Sequence, residues 1–313
     1  MADKSKIEWC DATWNPAFGC SKVSAGCKNC FAHRMISTRF PHLTGYEHGP
    51  GMGTDIPLGW DNRAHFKPDR LEIPFHWKKP RRIFVCSMSD LFHESLTNEQ
   101  IAAVFGVMAA TPQHQYVVLT KRLQRAMEWF KSGKEETADH MSLAELESDM
   151  YIHLHKSGYP WNSPQIGDEG RVELLGYFDF YAEDLSWPLE NVIICASVED
   201  QPTVDERVSL LLQIPARWRG VSVEPMLSGI NIGPWLLDED GLDVDGGWPQ
   251  NHDGLDLVIC GAETGPGKRP FKDDWALDLR DQCRDADTPF FFKKDGAGKP
   301  TLCGVKYHEW PED

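Results

Sequence analysis

The chain has 313 residues, 41% hydrophobic and 26% charged, which suits a globular protein with a sizeable core. Its formal net charge of −16 excludes broad, sequence-independent adhesion to nucleic-acid phosphates. No apolar run approaches the ~20 residues of a membrane span, and "MADKSKIEWCDATWNP" lacks an apolar signal stretch, so a cytoplasmic location, no membrane association and mostly reduced cysteines are expected.

In chain order, "DATWNPAFGC" (11–20) reads as a first strand, and the cysteine-rich "GCSKVSAGCKNCFAHRM" (19–35) follows it. Residues 41–80, rich in Gly, Pro, His and Trp, read as an insertion. The basic stretch "FKPDRLEIPFHWKKPRR" (66–82), with aromatics interleaved, is either a solvated connecting face or a contact for nucleic acid. The strand-like "RRIFVCSMSDLF" (81–92) gives way to a helix over "TNEQIAAVFGVMAATP". There Thr97 and Gln100 have capping-box spacing, and Ile101, Val104, Phe105 and Met108 form a stripe. "QYVVLTKR" (115–122) and a helical "LQRAMEWFKSG" come next, then a partly helical insertion over 133–190. "NVIICASVED" (191–200) leads into "QPTVDERVSLLLQIP", where Thr203 and Glu206 are spaced for a second capping box. "WRGVSVEPML" (218–227), an acidic loop over 236–254, "LDLVICGAETG" (255–265), the helix-like "DDWALDLRDQCRDAD" and "TPFFFKKDG" (288–296) complete the pattern.

Short apolar runs alternating with amphipathic helices predict βαβ units and a parallel sheet. About seven such units fit an α/β fold of the full or partial (β/α) TIM-type barrel kind, as a single domain decorated by the three insertions. A doubly wound sheet is the alternative, although neither a dinucleotide-binding glycine fingerprint nor a Walker-type loop occurs. The ends of the runs carry Ser87, Ser89 and Asp90; Lys121 and Arg122; Ser197, Glu199 and Asp200; Ser222 and Glu224; Glu263; and Lys293. In a barrel these positions converge on one mouth, where ligands bind.

Cys20, Cys27 and Cys30 have the spacing C-x6-C-x2-C. Thiolates are soft ligands for zinc or iron–sulfur clusters, and a structural zinc takes four protein ligands. Cys10 and His33 are the candidate fourth ligands for zinc. Three thiolates without a fourth instead suit a cluster with one open iron that binds a substrate or cosubstrate. Unliganded reduced thiols are the remaining reading. Cys86, Cys195 and Cys260 each end an apolar run and read as small buried hydrophobes.

Over most of its length the chain resembles the phage Gp37/Gp68-type proteins. The resemblance rests on "DATWNPAFGCSKVSAGCKNCFAHRM", "SMSDLF", "TPQHQYVVLTKR", "NVIICASVEDQPTVDER", "VSVEPML", "CGAETGPGKRPF" and "TPFFFKK". It implies a phage- or prophage-encoded protein in a bacterial host, and no defined activity. More distantly, the cysteine loop after a first strand resembles that of the radical S-adenosylmethionine enzymes. Here the first gap is longer than their usual C-x3-C, Asn29 precedes the third cysteine, and "SMSD" stands where their Gly-Gly-Glu motif ends the second strand.

That resemblance implies a 4Fe-4S cluster on Cys20, Cys27 and Cys30, whose open iron chelates S-adenosylmethionine. An external electron donor then drives its cleavage to a 5′-deoxyadenosyl radical, which abstracts hydrogen from substrate. Glu199, Glu224, Glu263 and Lys293 are the catalytic candidates. Ser89, Asp90, Lys121, Arg122 and Ser197 are the cofactor-binding ones, and the expected substrate is a small molecule or nucleotide, or a base in phage DNA. Two other readings stand beside this one. One is a zinc-stabilised binding protein that uses Cys10 or His33. The other is a metal-independent hydrolase or lyase in which Glu224 and Glu263 act as acid and base.

Overall fold

The computed structural model describes residues 5–39, 61–132, 171–174, 178–181, 188–236 and 254–311, so most of the three expected insertions lies outside the described residues. In chain order the strands are β1 (Ala12–Trp14), β2 (Ala17–Phe18), β3 (His65–Phe66), β4 (Arg82–Val85), β5 (Gln115–Thr120), β6 (Arg171–Leu174), β7 (Phe178–Tyr181), β8 (Val192–Val198), β9 (Trp218–Val223), β10 (Leu257–Cys260) and β11 (Phe290–Phe292). The helices are α1 (Phe31–Thr38), α2 (Asn98–Ala109), α3 (Leu123–Ser132), α4 (Gln201–Leu211) and α5 (Asp273–Asp285).

Seven strands form one sheet in the order β1-β4-β5-β8-β9-β10-β11, every neighbouring pair parallel. The spatial order follows the chain without reversal, which a doubly wound sheet does not do. The sheet curls into a half-barrel, so the expected partial (β/α) barrel is the observed fold. Among the described residues no helix is long and apolar enough to cross a membrane.

Side-chain alternation along the strands divides the core into two parts. Ile194, Ala196 and Val198 of β8, with Val221 and Val223 of β9, join Phe105, Val204, Val208 and Leu279 of the helices on the convex face. Val117, Ile193, Cys195, Leu257, Ile259 and Phe291 line the concave face with Trp9. Cys86, Cys195 and Cys260 are buried, as their apolar surroundings predict.

Three local expectations change. The expected first strand is broken after Trp14, because Pro16 has no amide to give a ladder. β2 leaves the main sheet and pairs antiparallel with β3. The Thr97–Gln100 capping box is present, but α2 is buried on all sides from Ile101 to Ala109 rather than along one stripe. The second box is Asp200 with Thr203, not Thr203 with Glu206: the helix starts three residues earlier than expected, with Pro202 in its first turn.

Candidate functional site

The concave face ends in polar residues at its C-terminal mouth. Two positions beyond Cys195 comes Ser197 and then Glu199; beyond Leu119 comes Lys121; beyond Phe291 comes Lys293. Lys121 Nζ donates to Ser197 Oγ at 2.6 Å and lies 3.7 Å from Glu199 Oε2. Lys293 Nζ pairs with Glu224 Oε1 at 2.9 Å. Gly261 makes room for that pair, since a Cβ there would lie 2.7 Å from Glu224 Oε1. Ser222 is buried opposite Ser197 in the β8–β9 register.

The cysteine loop lies over this mouth. Cys20 follows β2, Cys27 ends the 3₁₀ turn Ala25–Cys27, and Cys30 is the N-cap of α1. Charged residues from three strand ends fasten the loop. From β5, Arg122 Nη2 donates to Ser21 O (3.1 Å) and Ser21 Oγ (2.7 Å), while Nη1 donates to Asp90 Oδ2 (3.1 Å) and Cys20 Sγ (3.4 Å). From β8, Glu199 is 0% exposed; it accepts the Gly26 amide at 3.0 Å and pairs with Arg207 Nη1 at 3.1 Å. From β10, Glu263 accepts Asn29 Nδ2 at 2.9 Å and is clasped by Arg269, whose Nη1 also donates to Ala25 O at 2.8 Å.

These contacts set the ionisation of the clamps. Burial alone would raise Glu199, yet Lys121, the Ser24 hydroxyl, the Gly26 amide and Arg207 together hold it below the usual carboxylate range. The Arg269 hydrogen bond, working against burial and helped by Asn29, takes Glu263 down to about 2. Asp90 accepts Thr120 Oγ1 (2.7 Å), Phe92 N (3.0 Å) and Lys121 N (3.1 Å) besides Arg122, and Ser89 Oγ donates to Gly19 O at 2.6 Å. Glu199, Glu263, Asp90, Arg122 and Ser89, expected to meet substrate or cofactor, thus have partners within the chain. Lys121 with Ser197, and Lys293 with Glu224, are paired as well, at the strand ends that form the mouth.

The three cysteines are free and half-buried. Cys20 and Cys30, and Cys30 and Cys27, lie close enough to feel one another's charge. Burial pushes the Cys20 thiol up to about 12, helped by Asp90 and opposed by Arg122, and burial raises Cys30 as well. Among the described residues no three His, Cys, Asp or Glu side chains are gathered at metal-ligating separation, so ligation requires the thiols to turn toward a common point. By chemistry alone, three soft sulfurs are ligands for zinc or for an iron–sulfur cluster; the Arg122 guanidinium is on one of them and the Lys121 charge reaches another.

Cys10 does not serve as a fourth ligand. It precedes β1, at the opposite end of the sheet from the mouth, and its thiol donates to Ser5 Oγ at 3.2 Å. His33 lies in the first turn of α1, and burial together with Lys22 lowers its imidazole pKa. In the stretch 66–82, Phe75 and Trp77 are buried and Arg81 stacks on Trp77 at 4.9 Å, so those two aromatics pack inward. Gly26, Arg207 and Arg269 were not singled out from the sequence, and Asn29 was noted only as a departure from the radical S-adenosylmethionine pattern. All four stand inside the motifs quoted above, but only the fold shows what they touch.

The fold and site define a class: a parallel half-barrel with a three-cysteine loop clamped across its mouth. The chain belongs to the family described as protein of unknown function (DUF5131), whose model matches residues 4–307. No curated protein matches it. A solved structure of a cysteine-to-serine mutant of spore photoproduct lyase aligns at 11% identity, over 94% of this chain and 78% of that one, with a TM-score of 0.40.

Proposed function

We propose that this chain is a radical S-adenosylmethionine-type iron–sulfur enzyme acting on a small polar substrate of the nucleotide class. The observation that carries the reading is the delivery of three free thiols to the mouth of a parallel half-barrel by clamps from β5, β8 and β10. Held by Cys20, Cys27 and Cys30, a 4Fe-4S cluster with an open iron would supply the electron that cleaves S-adenosylmethionine.

The chain's own residues have separate tasks. Arg122 and Lys121 offset the negative charge of three thiolates. Lys293 and Lys121, each partly exposed, bind phosphate or carboxylate, and Glu224 orients Lys293. Ser197 fixes the Lys121 ammonium from below. The clamped loop, lying over the mouth, would limit the access of water to chemistry there.

The test is anaerobic purification with iron, sulfide and zinc measured on the wild type and on the Cys20/Cys27/Cys30 triple Ala variant, followed by EPR of the reduced protein with and without S-adenosylmethionine. About four irons per chain, lost in the variant, with a spectrum that changes on adding S-adenosylmethionine, is the expected result. One zinc and no iron would instead support the zinc reading with His33 as fourth ligand, and His33→Ala should then release it. The metal-independent reading fares worst, because it leaves the three clustered thiols without a role, and Glu263 is already held by Arg269 and Asn29.

A further inference from the structure

The basic stretch 66–82 ends in charges that the mouth does not use. Lys79, Pro80 and Arg81 lead into β4, and the segment from Ser5 to Asp11 leads into β1. Both therefore lie at N-terminal ends of strands, whereas the mouth residues follow C-terminal ends. Between them is a cleft of about 560 Å³, within the size range of small-molecule sites.

Three cations line the cleft: Lys6, Lys79 and Arg81. Lys6 and Lys79 are exposed, and neither side chain has a hydrogen bond or ion pair among the described residues. Arg81 stacks on Trp77, 4.9 Å from the ring centre. The two carboxylates of the cleft are each half engaged. Asp11 Oδ2 accepts the Arg82 amide at 2.8 Å, and Glu8 Oε1 pairs with Lys294 Nζ at 3.4 Å. That leaves one oxygen of each to accept a hydroxyl group. Ser5 Oγ accepts from the Ile7 amide (2.9 Å) and from the Cys10 thiol (3.2 Å), so its own proton is available to a ligand oxygen.

One wall of the cleft is set before anything binds. Ser5 N donates to Asp11 O at 2.7 Å, Cys10 N to Ile7 O at 3.2 Å and Asp11 N to Arg82 O at 2.8 Å, which closes residues 5–11 into a loop tied to β4. A preformed wall lowers the ordering cost of binding. Burial pushes the Cys10 thiol up to about 11, so it stays protonated near neutral pH and adds no negative charge. None of the lining residues is aromatic; Ile7 and Pro80 supply the apolar surface. A nucleobase or a single strand is normally met by an aromatic stacking platform, and this cleft offers none.

We propose that this cleft binds a small phosphorylated sugar, with Lys6 and Lys79 beside Arg81 holding the phosphate and Glu8 and Asp11 accepting sugar hydroxyls. Unpaired lysines supply charge-assisted donors to phosphate oxygens. The carboxylates beside them repel a bare polyanion and favour a ligand that brings hydroxyls along with one phosphate. The site uses no metal and no residue of the cysteine loop, so it holds or fails independently of the iron–sulfur reading.

The test is isothermal titration calorimetry of the full chain with ribose phosphate, inorganic phosphate, ribose and an oligothymidylate at physiological salt. The wild type should bind ribose phosphate more tightly than inorganic phosphate or ribose. Lys6→Ala/Lys79→Ala removes two exposed side chains, so the melting temperature should stay the same while ribose phosphate binds about tenfold or more weakly. Glu8→Gln should narrow the preference for ribose phosphate over inorganic phosphate, a change that mere loss of positive charge would not give. Binding that survives Lys121→Ala/Lys293→Ala at the mouth and is lost in Lys6→Ala/Lys79→Ala is the expected pattern. No binding of either phosphate probe, or equal affinity in the wild type and Lys6→Ala/Lys79→Ala, overturns the proposal. Loss in the mouth variant alone assigns the binding to the mouth and overturns it too. An oligothymidylate held more tightly than ribose phosphate, and released by Lys6→Ala/Lys79→Ala, overturns it in favour of a nucleic-acid contact.

Discussion

Arg122 joins three parts of the molecule through one planar group: Asp90 after β4, Glu94 beyond it, and Ser21 and Cys20 of the loop. Lys cannot reproduce that fork, because an ammonium is a point donor on a flexible stem. Arg122→Ala leaves Asp90 buried without its cation and is expected to cost about 3–5 kcal/mol. Arg122→Lys should cost less, yet on the proposed iron–sulfur reading it should still lower the iron retained per chain. Urea midpoints and metal analysis of both variants check this, and an Arg122→Lys protein with full iron would deny Arg122 its role at Cys20. Glu263 provides a pH signature. Its carboxyl is depressed from 4.5 in the unfolded chain to about 2 when folded, so the ionised clamp stabilises the fold fully above pH 4.5. That contribution, on the order of 3 kcal/mol, fades as the pH falls from there toward about 2. Glu263→Gln removes it, so the stability gap between wild type and variant should be widest near neutral pH and shrink in acid. A gap independent of pH would mean that the Arg269 contact does not depend on the carboxylate charge.

At the scale of the element, the cysteine loop behaves as a strap whose position is set by what grips it. Gly26 is a close point: a Cβ there would lie 3.0 Å from the Glu199 carboxylate, which Arg207 holds from the other side. Gly26→Ala should therefore lift the strap, lowering stability by about 1–3 kcal/mol and, on the proposed iron–sulfur reading, weakening iron retention more than stability alone accounts for. Metal content per folded chain at matched urea concentrations reads the two effects apart; a variant that keeps its iron would show that the strap tolerates the shift. Much of this element was legible beforehand. The three thiols stand within eleven residues of one another in the sequence, and the strand-end residues that converge on them follow from the parallel βα rhythm. The clamps were not legible, because each joins residues far apart in the chain: Gly26 with Glu199, Asn29 with Glu263 and Ser21 with Arg122. A strand-end carboxylate looks the same in a sequence whether it faces substrate or a buried arginine. The same limit explains the second helix cap. Asp200 and Thr203 both precede an apolar pattern, and the choice between them depends on where β8 ends in the sheet.

Across the whole molecule, the half-barrel leaves β11 as an edge that another chain could extend. The segment 307–310 covers it: Phe292 N donates to Tyr307 O at 2.9 Å and Glu309 N to Phe290 O at 3.2 Å, with a bridge between Phe291 and His308. The covering segment carries Trp310 to the end of the concave face remote from the cysteine loop. Its ring lies 6.4 Å from Trp9 and 6.1 Å from Phe291, the Arg82 guanidinium sits 3.6 Å above it, and its Nε1 donates to Gln115 Oε1 at 2.8 Å. Residues from before β1, from β4, from β5 and from β11 thus meet on one indole, which links the first and last strands of an open sheet. Trp310→Ala should destabilise the fold by about 2–4 kcal/mol, since it removes a large aromatic and its hydrogen bond to Gln115, while the Arg82–Gln115 bond remains. The mouth lies at the other end of the strands, so on the proposed reading iron content and the S-adenosylmethionine-dependent EPR change should be retained per folded chain. Thermal unfolding beside metal analysis distinguishes the two ends. Loss of iron in step with loss of stability would mean that packing around Trp9 and Trp310 is coupled to the cysteine loop, and that the half-barrel responds as one body rather than as a stabilised base carrying an independent site.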